Sequence, residues 1–173
     1  MPQTTSGKIK VIRVKKEDCP QLLVLLSAIH AEEHPADTQT VKDVEMGVRE
    51  SLKRYDVFSS DSSRFLAALF DGEPVGYAAF VRISKLDQRV GFLYLDELHV
   101  LDGYRRRGVG TALLGEAFAL VNKLGLAGIR LLTRPQNSSA QRFYEKHGFS
   151  GNRAILYQWV TGPKDNSLLE SET

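Results

Sequence analysis

Ile9, Val11, Ile12 and Val14 lie in near alternation with lysines and an arginine, the pattern of a half-buried first strand. Asp18 then offers an N-cap with Pro20 inside the first turn, and Leu22, Leu23, Leu25, Leu26 and Ile29 form the apolar stripe of a helix. Pro35 stops it, because proline drives the residue before it out of the α region. A thinner stripe of Val41, Val44, Val48 and Leu52 predicts a second helix over 41–53. From Phe65 the period becomes that of strands: 65–70, the turn Asp71-Gly72-Glu73-Pro74, and 75–83 read as an antiparallel hairpin. A polar connection, 84–89, leads to a third run over 92–100. After a loop at 101–107, a helix begins near Gly108, with Ala112, Leu113, Ala117, Phe118 and Val121 facing a core and Gly125 ending it. A short strand at 129–133, an amphipathic helix at 138–147 closed by Gly148, and a last strand at 155–160 complete the pattern.

No repeat or linker divides these elements, and 173 residues suit one domain, so residues 1–173 are expected to form a single unit with a core over about 8–160 and a polar tail at 161–173. A hydrophobic fraction of 42% and a charged fraction of 25% are those of a globular chain. Lysine plus arginine, 23, against aspartate plus glutamate, 21, leaves +2, too small a surplus to make nucleic acid the expected partner. Cys19 is the sole cysteine, which excludes an intramolecular disulfide and suits a reducing, cytoplasmic setting. The longest apolar run, within 22–29, is far short of the roughly 20 residues that cross a bilayer, and the first residues lack a signal peptide's apolar stretch, so no membrane association is expected.

The segment Leu98-His99-Val100-Leu101-Asp102-Gly103-Tyr104-Arg105-Arg106-Arg107-Gly108-Val109-Gly110-Thr111 carries the clearest chemistry: a strand, a basic glycine loop and a helix start, in that order. At a helix N-terminus the first amides have no intrahelical acceptor and the macrodipole adds about half a positive charge, so a phosphate placed there finds donors and a favourable potential. Gly108 and Gly110 let the backbone approach such a ligand, Arg105, Arg106 and Arg107 add charge-assisted hydrogen bonds, and Thr111 adds a hydroxyl. A diphosphate suits this chemistry best, although three arginines and two glycines also make an ordinary solvated turn. A dinucleotide-binding loop would require a third glycine where Leu113 stands, and a P-loop would require Gly-Lys-Ser/Thr, which is absent.

The remaining pattern, Arg-x-x-Gly-x-Gly after a strand, resembles the coenzyme A pyrophosphate loop of the GNAT superfamily of N-acetyltransferases. Asn137 and Ala140, followed by Phe143-Tyr144-Glu145-Lys146-His147-Gly148-Phe149, resemble that family's second signature. The resemblance covers about 65–160. It implies an α/β (α+β) fold with a mixed, mostly antiparallel central sheet, helices on both faces and one splayed parallel strand pair, here 92–100 with 129–133.

It further implies acetyl-CoA as cosubstrate, with the diphosphate on the amides from Arg106 through Val109 to Thr111. Backbone groups at Leu98, His99 and Val100 would pair with the pantetheine arm, and Asn137 would hydrogen-bond it. The reaction would be direct transfer of the acetyl group to a primary amine in a ternary complex. Tyr144 matches the family's tyrosine and would protonate the departing sulfur. Glu97, three residues before Val100, is the first choice for the base that takes the amine's proton; the alternative is that it only binds a cationic acceptor electrostatically or pairs with a nearby arginine.

The stretch from His30 to Asp37 is acidic and would attract a cationic amine, whether a small molecule or a peptide; as a solvated loop it would have no such role. A homodimer is common in the family. Two other readings compete: a non-catalytic acyl-CoA sensor with the same fold, and a zinc peptidase using His30, Glu33 and His34, whose His-x-x-Glu-His spacing Pro35 interrupts, so that no metal is expected. If the glycine loop holds the diphosphate, Gly110→Glu, which adds bulk and negative charge where phosphate approaches, abolishes acetyl-CoA binding measured by calorimetry.

Overall fold

The structure, a computed structural model, describes residues 7–35, 40–55, 58, 62–86, 90–157 and 159. It divides into two compact units, Met1–Thr133 and Arg134–Thr173. The first holds a five-stranded sheet in the order β1 (Ile9–Arg13), β2 (Ser63–Phe70), β3 (Glu73–Ile83), β4 (Phe92–Val100), β5 (Ile129–Leu131). The first four strands pair antiparallel and β4 with β5 parallel, as the resemblance implies. Helices α1 (Cys19–Glu33), α2 (Val41–Tyr55) and α3 (Val109–Leu124) belong to the same unit, and α4 (Ser138–Lys146) to the second.

The sheet is covered on both faces by residues whose alternation the sequence carries. On one face Leu25 and Ile29 of α1 pack on Tyr77 and Ala79 of β3, while Leu22 packs with Val14 and Ala67. On the other, α3 lies across the strands with Val109, Leu113, Leu114, Ala117 and Val121 buried. Leu114 therefore takes the core position expected of Phe118, which sits at the solvent-facing edge of the stripe. Because β3 is covered on both sides, it is buried without a break from Val75 to Phe80, which explains its near-continuous apolar run.

Two further expectations change. Asp18 occupies the N-cap position of α1, yet its carboxylate turns back to accept from the Lys15 N–H at 2.8 Å, closing a single 3-10 turn ahead of the helix rather than capping it. The strand expected at 155–160 is not formed by its described residues: Ile155, Leu156 and Tyr157 belong to no strand and are 78%, 62% and 85% exposed. Residues 158 and 160 and the tail at 161–173 lie outside the described residues, as do 87–89 of the polar connection. Strand propensity becomes a strand only where a neighbour supplies ladder partners. Among the described residues, no helix is long and apolar enough to cross a membrane.

Gly76 is a close-approach position between the two layers. A Cβ there would lie 2.8 Å from the His99 carbonyl oxygen, 3.2 Å from Val100 Cγ2 and 3.3 Å from Val109 Cγ1. Gly76→Ala must therefore push β4 or the start of α3 outward, and urea denaturation is expected to show a loss of about 1–3 kcal/mol.

Candidate functional site

The pairing of β4 with β5 lasts for three residues, Leu93 to Leu95 opposite Ile129 to Leu131. There β4 takes a bulge: Leu95 pairs with Phe80 and Glu97 with Ala79, so Asp96 is the extra residue. From Asp96 to Val100, β4 continues along β3 with no strand partner on its other edge among the described residues.

The bulge also resets which face each side chain takes. Without it, Glu97 and His99 would follow Leu93 and Leu95 toward α3; with it, they lie opposite Ala79 and Tyr77 and share the α1 face. Glu97 and His99 thus fall on one face, as alternation predicts.

Around these residues a small polar network has formed. The Tyr77 hydroxyl donates to Glu97 Oε2, and the Tyr77 ring stacks on His99 with centroids 5.3 Å apart. His99 Nδ1 lies 2.9 Å from Oε1 of Glu33, the last residue of α1. Its neighbour Glu32 accepts from the Asp102 N–H through both carboxylate oxygens, at 3.2 and 3.1 Å. Burial pushes the Tyr77 phenol well above its ordinary range, reinforced by the bond to Glu97 and the charges of Glu97, Glu33 and Asp96.

The basic loop begins with a 3-10 turn, Asp102 to Tyr104, after which Arg106 (φ 61°) and Gly108 (φ 87°) take left-handed backbone conformations that turn the chain into α3. The first intrahelical bond runs from the Ala112 N–H to the Gly108 carbonyl, so the amides of Val109, Gly110 and Thr111 precede the ladder. Two of the three arginines brace the loop itself. Arg105 Nε donates to the Val100 carbonyl at 3.0 Å and Nη1 pairs with Asp102 at 2.8 Å, while Arg107 lies over the rings of Phe70 and Tyr104, 5.8 and 5.4 Å from their centroids. The Val100 carbonyl, expected to face pantetheine, is thus engaged by Arg105, and the His99 ring is turned to the α1 face.

In the second unit Asn137 caps a helix, because its side-chain oxygen accepts from the Ala140 N–H at 3.0 Å at the start of α4. Tyr144 follows on that helix, its ring edge-on to Phe143 and Phe149 at 5.3 and 5.5 Å, and burial raises its phenol above the usual range.

In the His30-x-x-Glu33-His34 stretch the side chains divide between two contacts. The helix ends at Glu33, His34 takes a non-helical backbone, the two imidazoles stack on each other 4.6 Å apart, and Glu33 is turned to His99. Residues 36–39, including Asp37 of the acidic stretch, lie outside the described residues.

The chain matches the model of the acetyltransferase (GNAT) family over residues 25–149. It is 35% identical over 103 residues to an uncharacterised N-acetyltransferase of Mycobacterium tuberculosis, a match covering 59% of this chain and 63% of that protein. An N-alpha-acetyltransferase of Sulfurisphaera tokodaii is 31% identical over 120 residues, 65% of this chain and 68% of its own length. An aminoglycoside N-acetyltransferase solved in complex with CoA shares the fold, with a TM-score of 0.68 at 18% identity, covering 93% of this chain and 99% of that one.

Tyr77 keeps its proton at a pH where an exposed tyrosine, with a pKa of about 10, has lost it. The folded protein holds this proton more tightly than the unfolded chain does. The associated stability is complete below about pH 10 and is lost as the pH rises beyond it. An alkaline absorbance titration is expected to give the same native amplitude for wild type and Tyr77→Phe, whereas in denaturant the variant titrates one tyrosine fewer.

Proposed function

Since this chain is a member of the GNAT acetyltransferase family, we propose that it moves the acetyl group of acetyl-CoA to a primary amine by direct attack in a ternary complex. The observation that carries this reading is the end of β4–β5 pairing at Leu95, which among the described residues leaves the edge of β4 unpaired from Asp96 to Val100, ahead of the basic loop and the amides that start α3. An extended amide-bearing arm suits the first and a diphosphate suits the second. The match to the family spans 25–149, across the division at 133/134, which supports treating the chain as one acetyltransferase domain.

In this reading, residues 106–111 take the diphosphate, and the backbone of Leu98 to Val100 faces the pantetheine arm. Pairing through the Val100 carbonyl requires Arg105 to release it and turn toward phosphate. Asn137, with its oxygen used as a cap, has its side-chain N–H groups for the arm. The amine must be neutral to attack, so Glu97 takes its proton; nitrogen bonds to the thioester carbon, the carbon–sulfur bond breaks, and Tyr144 protonates the departing thiolate. Burial keeps Tyr144 in the acid form that this role requires. Both proton transfers are covered by these two side chains. Glu33, Asp96 and Glu97, whose charges all act on Tyr77, favour a cationic acceptor, small molecule or peptide.

Acetyl-CoA at about 100 times its dissociation constant is expected to stabilise the protein by roughly 2.7 kcal/mol in a thermal shift assay; no shift at millimolar ligand would remove the cosubstrate. Thiol release against a panel of amines then separates an enzyme from a sensor, because binding without acceptor-dependent release contradicts transfer. Glu97→Gln is expected to lower kcat by about 10²- to 10⁴-fold. Tyr144→Phe lowers kcat while leaving acetyl-CoA affinity intact, and full activity in that variant would exclude it as the proton donor.

A further inference from the structure

Tyr77 is an unusual residue to find where it is. It lies in the middle of β3, is 6% exposed, and belongs to the apolar cluster formed with Leu25, Ile29 and Ala79. A phenylalanine would fill that cluster equally well. The hydroxyl is retained at a cost in desolvation, and its partner is the carboxylate oxygen of Glu97, a residue whose backbone stands opposite Ala79, one strand away.

The ring is held from the far side as well: His99 stacks on it at an interplanar angle of 21°, and Glu33 at the end of α1 holds His99 through Nδ1. Charged and titratable groups reach the phenol from two of the elements around it, Glu33 from α1 and Asp96, Glu97 and His99 from β4, while β2 places Ala67 opposite it. Among these, Glu97 is the one that accepts the Tyr77 hydroxyl's hydrogen bond.

We infer that Tyr77 is a positioning residue: its buried hydroxyl fixes one carboxylate oxygen of Glu97, leaving Oε1 to receive the amine's proton, while the Glu33–His99 pair clamps its ring. This rests on Glu97 acting as the base. A flexible glutamate on a bulge samples several rotamers, and only those with an oxygen toward the attacking nitrogen are productive; one strong bond to Oε2 removes most of the others.

The test is a double-mutant cycle on kcat with purified full-length protein, acetyl-CoA and whichever amine the thiol-release panel identifies. Tyr77→Phe is expected to lower kcat about tenfold, with the amine KM and the acetyl-CoA Kd unchanged. The same substitution in a Glu97→Gln background is expected to produce no further loss, because the group it positions is gone. A merely structural role would cost the same in both backgrounds, and that result, or an unchanged kcat in the single variant beside a crippled Glu97→Gln, overturns the inference alone. Full activity in Glu97→Gln overturns the base assignment and this inference with it. Should Tyr77→Phe fail to fold, NMR of the wild type supplies the second measurement. The sheltered Tyr77 hydroxyl proton is expected to give a downfield resonance that shifts in Glu97→Gln, and a resonance indifferent to that change overturns the proposal.

Discussion

One extra residue in β4 organises the site. A strand that alternated strictly would carry Glu97 and His99 into the same layer as Leu93 and Leu95, which are buried beneath α3. Two ionisable side chains in that layer would have lost water with no partner. The bulge at Asp96 shifts the phase by one residue, so the apolar half of β4 serves the α3 core and its polar half faces the end of α1. The same irregularity coincides with the last parallel pair to β5, and beyond it the outer edge of β4 is open among the described residues. A single backbone feature thus exposes a hydrogen-bonding edge and presents a carboxylate beside it.

The end of α1 is tied to both parts of this arrangement. Glu33 reaches His99 on the polar half of β4, and Glu32 accepts from the Asp102 amide at the entrance to the basic loop. A helix C-terminus is a poor place for carboxylates, because the macrodipole is negative there. Two glutamates at that end retain their place through the donors they meet across the fold, an imidazole N–H and a backbone N–H. Bulge, strand polarity and helix end are therefore mutually dependent, and a change in the length of α1 would disturb both the polar half of β4 and the loop.

Charge is distributed unevenly between the two halves of the site. Three carboxylates act on the Tyr77 phenol, whereas the loop from 105 to 107 is wholly basic. Their opposition suits the proposed transfer of an acetyl group from a polyanionic carrier to an amine, each drawn to its own end. The basic end is also self-supporting, since Arg105 and Arg107 spend part of their bonding on Val100, Asp102, Phe70 and Tyr104. Such internal bracing holds a left-handed residue, Arg106, in a turn that glycine alone would otherwise have to make.

Much of this was legible along the chain. The strand from 92 to 100, the helix after Gly108, the hairpin around Gly72 and the Asn137 helix follow from periodicity, glycine placement and caps, all of which act over a few residues. The helix that carries Tyr144 was readable for the same reason, whereas the loop signature and Tyr144 itself stand out only through the family resemblance. What stayed hidden depends on contacts distant in sequence. Tyr77 and Glu97 are 20 residues apart and meet only through strand register, and Glu32 and Asp102 are 70 apart. Ile155, Leu156 and Tyr157 show the converse, since strand-like side chains did not suffice without a ladder to join. Local spacing determined which elements form and where the basic glycine turn lies. Only the tertiary structure, by setting register at one bulge and bringing the end of α1 to β4, decided which side chains work together, because such pairings are fixed by strands and helices packing across the whole unit.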